Sequence, residues 1–204
     1  MSDRDIGLDV SRETIERLEH YLALLEKWNP AINLVSKTTI ETSWSRHFID
    51  STQLFNHAPD GWAHWVDLGS GGGFPGTVIA ILAKELNPTA HVTLVESDQR
   101  KSAFLRSVLR ETGVKGRVEA KRIEAVEPLQ ADIVSARALA NLNALLGFAD
   151  KHGTEGSTYL FPKGINWQKE MAAAQESWSF DFTAITSRTD PNATILKIRG
   201  LARA

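Results

Sequence analysis

Trp65-Val66-Asp67-Leu68-Gly69-Ser70-Gly71-Gly72-Gly73-Phe74-Pro75-Gly76 reads as a short buried strand, a glycine-rich turn and the start of a helix. Apolar Trp65, Val66 and Leu68 suit a central strand. The glycines that follow let the backbone turn sharply, adopt positive φ and approach a ligand with no Cβ in the way. The next helix then directs its N-terminal amides and its positive dipole end into the crevice beyond the strand, where a nucleotide-like cofactor is the natural occupant. A plain tight turn rarely needs five glycines between positions 69 and 76.

Two registers fit the loop. Gly71, Gly73 and Gly76 match the G-x-G-x-x-G dinucleotide pattern, whereas Asp67 followed by Gly69, Gly71 and Gly73 matches the D-x-G-x-G-x-G loop of S-adenosylmethionine-dependent methyltransferases. The loop by itself leaves both open.

Downstream, strands and helices alternate as in a doubly wound fold. The pattern predicts strands over 65–69, 91–95, 118–122, 131–136 and 158–161, with helices over 74–86, 99–112, 141–152 and 167–178. Two alternating segments, 180–187 and 193–199, flank the turn Arg188-Thr189-Asp190-Pro191-Asn192 and should pair antiparallel. Right-handed crossovers place the ligand crevice at the carboxyl ends of the first strands.

Upstream, Ser11 caps a helix with Ile15, Leu18, Leu22 and Leu25 at helical spacing, ended by Pro30. A second helix opens near Ser43 and runs to about His57, with Arg46, His47 and Asp50 able to share one face. Pro59-Asp60-Gly61 marks a break. Residues 1–60 therefore read as a helical appendage packed on an α/β core of 61–204.

The 204 residues suffice for one α/β domain, and 42% hydrophobic with 24% charged residues is the composition of a soluble globular chain. No apolar run approaches the ~18 residues of a membrane span. The start Met1-Ser2-Asp3-Arg4-Asp5 lacks the shape of a signal peptide, so a cytoplasmic location without membrane contact is expected. Cysteine is absent, which excludes disulfides, thiolate metal sites and a cysteine nucleophile, and no metal is expected. A net charge of −2 supplies no overall field for nucleic acid. Positions 99–122 nevertheless hold eight basic residues, Arg100, Lys101 and Arg106 among them, against two acidic ones, a local patch suited to RNA phosphates. Most of the six tryptophans are expected to serve packing.

Glu96 ends the second strand, where a carboxylate reaches cofactor ribose hydroxyls in either register. Ile123-Glu124, just past the third strand, is where a methyltransferase contacts adenine, and the antiparallel final pair suits the methyltransferase sheet better than an all-parallel one. A nicotinamide-dependent oxidoreductase and a non-catalytic RNA-binding or ribosome-assembly module are the competing readings.

The segments Asn33-Leu34-Val35-Ser36, Arg46-His47-Phe48-Ile49-Asp50-Ser51, the 66–76 loop, Leu94-Val95-Glu96-Ser97, Ser135-Ala136-Arg137-Ala138 and Phe161-Pro162-Lys163-Gly164 occur in this order. Together they resemble the RsmG (GidB) family of bacterial small-subunit ribosomal RNA methyltransferases. The resemblance covers about residues 28–165. It implies a class I S-adenosylmethionine-dependent methyltransferase fold: α/β, Rossmann-like, with a mostly parallel seven-stranded sheet, antiparallel final strands and an N-terminal helical extension. It further implies methyl transfer from S-adenosyl-L-methionine to N7 of a guanine in the 530 loop of 16S rRNA, with 16S rRNA, the small ribosomal subunit or its precursor as partner. By position it assigns cofactor contacts to Gly69, Phe74, Ile123, Glu124 and Arg137, beside Gly71, Gly73 and Glu96 from the loop and strand motifs. Arg46, His47 and Lys163 join Arg100, Lys101 and Arg106 as RNA candidates. Phe74 stands where relatives often have leucine.

Guanine N7 carries an in-plane lone pair and no proton, so its methylation needs no general base. The chain accordingly has Ser135-Ala136-Arg137-Ala138 where amino-nitrogen methyltransferases carry an Asn/Asp-Pro-Pro-Tyr/Phe loop, and it has no cysteine to add to a pyrimidine. Arg137 is the candidate catalytic, positioning cation; a purely structural role would pair it with Glu96, Asp67 or Glu124.

Overall fold

A computed structural model describes residues 5–36 and 42–204. The polar start Met1 to Arg4 lies outside these residues. Seven strands form one sheet in the order β3-β2-β1-β4-β5-β7-β6. The strands are β1 (His64–Leu68), β2 (His91–Val95), β3 (Arg117–Glu119), β4 (Ala131–Ser135), β5 (Gly153–Lys163), β6 (Trp178–Thr186) and β7 (Thr194–Arg203). The first five are mutually parallel, and β7 runs antiparallel to both β5 and β6, as the alternating tail predicts. The chain reverses its strand order between β1 and β4, which opens a crevice at their carboxyl ends.

Helices cover both faces. On one lie α1 (Arg12–Ile32), α2 (Asp50–Asn56), α3 (Gly76–Leu86) and α4 (Gln99–Glu111); on the other lie α5 (Leu142–His152) and α6 (Trp167–Gln175). Alternation along β1 feeds both cores. Trp65 packs with the α1–α4 side and Val66 and Leu68 with the α5–α6 side. Ile6, Leu18, Tyr21, Leu25, Phe48 and Leu54 from the first sixty residues join α3 and α4 in a single apolar cluster.

Several boundaries differ from the sequence expectation. Pro30 does not end α1, which continues to Ile32. Proline removes the i→i−4 bond to the Glu26 carbonyl, but the chain beyond it is held: the Asn33 amide donates to Asn29 O at 3.0 Å, and the Asn29 side chain accepts from the amides of Leu34 (2.8 Å) and Val35 (2.9 Å). The second helix begins as a π-helix, Trp44–Ile49, so Arg46, His47 and Asp50 do not follow α-helical spacing. The third strand is Arg117–Glu119, not 118–122: β2 ends at Val95, the Glu96 amide donates to Glu119 O at 3.0 Å, and the chain then leaves the sheet edge for a 3-10 turn, Ile123–Ala125. The fifth strand, expected over 158–161, runs from Gly153 to Lys163, and α6 stops at Gln175 rather than 178. Trp178 instead opens β6, buried in the second core with its Nε1 donating to Asn143 Oδ1 at 2.8 Å. Trp62 and Trp65 are likewise buried, in line with a packing role.

Candidate functional site: a cavity at the carboxyl end of β1

The turn after β1 surrounds a cavity of about 560 Å³. Its wall brings together Gly69, Gly71, Phe74, Glu96, Ile123, Glu124 and Arg137, contributed by the ends of four strands and the loops behind them. Lys101, at the start of α4, also reaches it.

Positive φ at Gly69 (+66°) and Gly71 (+55°) bends the chain away from β1. A Cβ on Gly69 would lie 2.6 Å from Leu139 Cδ1, so the loop after β4 packs directly on this glycine. The turn is fastened from three sides. Glu96 Oε2 accepts from the Gly71 amide at 2.8 Å while its Oε1 accepts from the Asp98 amide at 2.8 Å. Tyr21 of α1 donates its hydroxyl to Gly72 O. Asp67, fully buried, accepts from the Gly76 amide at 3.2 Å and from Ser135 Oγ at 2.7 Å, and Ser135 in turn accepts from Trp65 Nε1 at 2.8 Å.

Burial raises the Asp67 carboxyl from 3.8 to about 6, against the lowering effect of its hydrogen bonds from Ser135 and others. An acid with a raised folded-state pKa binds its proton more tightly when folded. Its stabilisation is therefore fully present below 3.8 and is lost as pH rises through about 6. Wild-type stability should fall by about 2 kcal/mol more than that of Asp67→Asn between pH 4.5 and 7.5. Denaturant unfolding of both proteins at the two pH values checks this; parallel changes would place the titration elsewhere.

Arg137 projects from the loop after β4, and its side chain is 19% exposed. None of the expected acids of the core pairs with it. Its Nη1 lies 3.4 Å from Asp50 Oδ2, 3.1 Å from His47 Nδ1 and 3.3 Å from Arg46 O, all on the π-helix and α2. The guanidinium carbon sits 5.1 Å from the Phe74 ring centre, which turns the aromatic face to the cation. A guanidinium only donates, so His47 accepts through Nδ1 and keeps its single proton on Nε2. Burial, followed by the Arg137 charge, lowers His47 to about 4, consistent with a neutral ring. Asp50 Oδ1 meanwhile accepts from Thr189 Oγ1 (3.1 Å) and Gln53 Nε2 (3.3 Å), tying this cation anchor to the β6–β7 turn.

Other candidates fall elsewhere. Gly73, at φ +97°, does not line the cavity; a Cβ there would lie 2.4 Å from the Tyr21 hydroxyl and 2.5 Å from Thr77 Oγ1. Arg46 contributes its carbonyl, and the residue itself is exposed. Arg100 is exposed beside Asp98 (3.8 Å), and Arg106 donates to Val118 O at 3.3 Å on the sheet edge. Lys163 is no free surface cation: its side chain is 8% exposed and its Nζ lies 2.7 Å from Glu170. It lines a second cavity, of about 530 Å³, that shares the stretch Arg137, Ala138, Leu139 and Ala140 with the first. Among the described residues, no group of three or more His, Asp or Glu could hold a metal ion, and no helix is long and apolar enough to cross a membrane.

Comparison with known proteins decides between the two readings of the glycine loop. A family model described as rRNA small subunit methyltransferase G matches residues 14–193. The chain belongs to the rRNA small subunit methyltransferase G family. It is 57% identical over 196 residues to ribosomal RNA small subunit methyltransferase G of Ruegeria pomeroyi, covering 96% of each chain. It is 49% identical over 201 residues to the Rhodospirillum centenum protein of that name, covering 98% of this chain and 91% of the relative. Among solved structures, the mitomycin 7-O-methyltransferase matches with TM-score 0.61 at 15% identity over 95% of this chain and 69% of that one. A TehB-like S-adenosylmethionine-dependent methyltransferase from Corynebacterium glutamicum matches with TM-score 0.59 at 12% identity over 90% and 99%. The fold is that of class I S-adenosylmethionine-dependent methyltransferases.

As a member of this family the chain is a methyltransferase with S-adenosyl-L-methionine as cofactor, and its cavity fits that molecule. The volume is in the range of small-molecule sites. Each Glu96 oxygen accepts one backbone amide and retains lone-pair capacity for a ribose hydroxyl. Ile123, Leu139 and Phe148 supply apolar wall for a base. Leu34, just after α1, also lines the cavity, and its carbonyl would lie 3.0 Å from a Cβ on Gly72. Leu34 and Asp50 stand in the ordered family segments, and Asp50 shares the helix face expected of Arg46 and His47, but neither these nor Tyr21 carries a signal in the sequence that points to the glycine loop, which is distant in the chain.

Proposed function

We propose that the protein methylates N7 of a guanine in the 530 loop of 16S rRNA. Family membership over nearly the whole chain carries the ribosomal RNA substrate, and the chemistry of the site supports N7. After β4 the chain carries Ser135-Ala136-Arg137-Ala138 in place of the Asn/Asp-Pro-Pro-Tyr/Phe loop of amino-nitrogen methyltransferases, and the nearby His47 already spends its Nδ1 lone pair on Arg137. A ring nitrogen without a proton asks for no base.

In this reading Glu96 orients the ribose and Gly69 and Gly71 let the backbone approach the ligand. Ile123 and Glu124 border the adenine, and Phe74 packs beneath Arg137 at the crevice mouth. Bound S-adenosyl-L-methionine supplies an electrophilic methyl group on a sulfonium. Arg137 orients the acceptor by donating to guanine O6 or a phosphate oxygen, its planar fork suiting both. Arg100, Lys101 and Arg106 attract RNA phosphates along α4, beside an N-terminal appendage of residues 1–60 that helps frame the crevice mouth of the 61–204 domain.

Mapping 7-methylguanosine in 16S rRNA from cells with and without the protein tests the assignment. Loss of the modification at one guanine of the 530 loop is expected, and an unchanged pattern there would overturn it. For the basic segment, Arg100→Glu with Lys101→Glu should weaken RNA binding and make its salt dependence shallower by about two units of logarithmic slope, measured by titration across ionic strengths. An unchanged slope assigns the RNA to another surface.

A further inference from the structure

The loop between β4 and α5 forms the common wall of both cavities, and it is held in an uncommon conformation. Ala138 adopts φ +52°, in the left-handed region that a non-glycine residue occupies only when its surroundings impose it. Leu139, next along, rests on Gly69. At its start the loop is fixed by Arg137 on Asp50 and His47. Its end is fixed from behind the donor cavity. Glu170 of α6 accepts through Oε2 from the amide of Leu142, the first residue of α5, at 2.7 Å, and the same oxygen lies 2.7 Å from Lys163 Nζ. Lys163 also donates to Ala140 O at 3.0 Å. One carboxylate oxygen and one ammonium thus clamp the main chain on both sides of Asn141.

We propose that Glu170, acting with Lys163, is a positioning residue for the S-adenosylmethionine cavity. It does not line that cavity. It sets the cavity's wall by holding Ala140 and Leu142, so that Leu139 stays seated on Gly69 and Arg137 stays aimed at the crevice mouth. Charge-assisted hydrogen bonds of this kind are stronger than neutral ones, and Lys163 is nearly buried, so water competes weakly for them. Because Glu170 and Lys163 also line the second cavity, a ligand entering there would meet the clamp itself. The inference rests on reading the first cavity as the S-adenosylmethionine site.

Calorimetric titration with S-adenosylhomocysteine, in the absence of RNA, tests it. Glu170→Ala should bind roughly tenfold more weakly than wild type, the loss expected when charge-assisted bonds that order a loop are removed. Glu170→Gln should recover most of the affinity, since its amide oxygen still accepts from Leu142 and Lys163. Lys163→Met should weaken binding in the same direction and leaves Glu170 on the α5 amide, so it serves if Glu170→Ala fails to fold. Wild-type affinity in Lys163→Met and in a folded Glu170→Ala would overturn the inference, as would a lowered melting temperature with affinity unchanged. Failure of the wild-type protein itself to bind S-adenosylhomocysteine would instead overturn the reading of the cavity.

Discussion

Replacing Arg137 by alanine should lower methyl transfer to ribosomal RNA by about 10²–10³-fold, the loss typical when one preorganised donor is removed from an active site. The fold should survive. Arg137 sits at the crevice mouth rather than in either core, and Asp50 keeps Thr189 and Gln53 as donors after the guanidinium is gone. Single-turnover rates with radiolabelled methyl donor, beside circular dichroism and a melting curve, separate the two effects. Turnover near wild type would remove Arg137 from the mechanism. Arg137→Lys should stay impaired, because a guanidinium anchored on His47 and Asp50 through Nη1 still has further planar donors for the acceptor, whereas an ammonium spends its one nitrogen on the anchor.

Gly73→Ala should destabilise the protein by about 2–4 kcal/mol, combining left-handed strain with overpacking. The backbone there is at φ +97°, and the added methyl would meet the Tyr21 hydroxyl and Thr77 Oγ1, both in buried surroundings. Neither can retreat freely. Tyr21 packs against Phe48 and Phe74, with ring centres 5.0 and 5.3 Å away, and its hydroxyl holds Gly72 O. For a chain of this length the loss corresponds to a fall in melting temperature of roughly 5–15 °C. Calorimetric melting measures it. An unchanged melting temperature with weakened S-adenosylhomocysteine binding would make Gly73 a ligand contact, as the glycine register alone suggests, rather than the seat of α1.

The glycine loop and Glu96 were legible because their signals are local. A strand that feeds a turn with several left-handed positions needs glycine at those positions, and an acid at the next strand end meets the same crevice through chain connectivity alone. Ile123 and Glu124 lie on the cavity wall although the third strand ends at Glu119 rather than at 122, since a parallel neighbour of β2 returns to the same edge wherever the strand ends. Helix ends were less legible. Pro30 reads as a stop, yet the side chain of Asn29 completes the helix beyond it.

Arg137 shows what spacing cannot carry. Its position after the fourth strand marked it as a site residue, but three nearby acids competed as partners, and the structure chose Asp50, 87 residues away in sequence. Lys163 shows the reverse. A lysine in a motif near the crevice reads as an RNA contact, whereas its burial against Glu170 and Ala140 ties it to the chain itself.

By itself the sequence determined the α/β order of elements, the antiparallel tail, the nucleotide-type loop and, through its ordered segments, the family. Each of these follows from a periodicity or a residue type acting over a few positions. Only the tertiary structure decided which surfaces complete the site: Tyr21 and Leu34 on the glycine turn, Asp50 and His47 on Arg137, and Glu170 behind the β4–α5 loop. Those contacts join elements far apart in the chain, and their geometry is set by how two apolar cores pack on opposite faces of one twisted sheet.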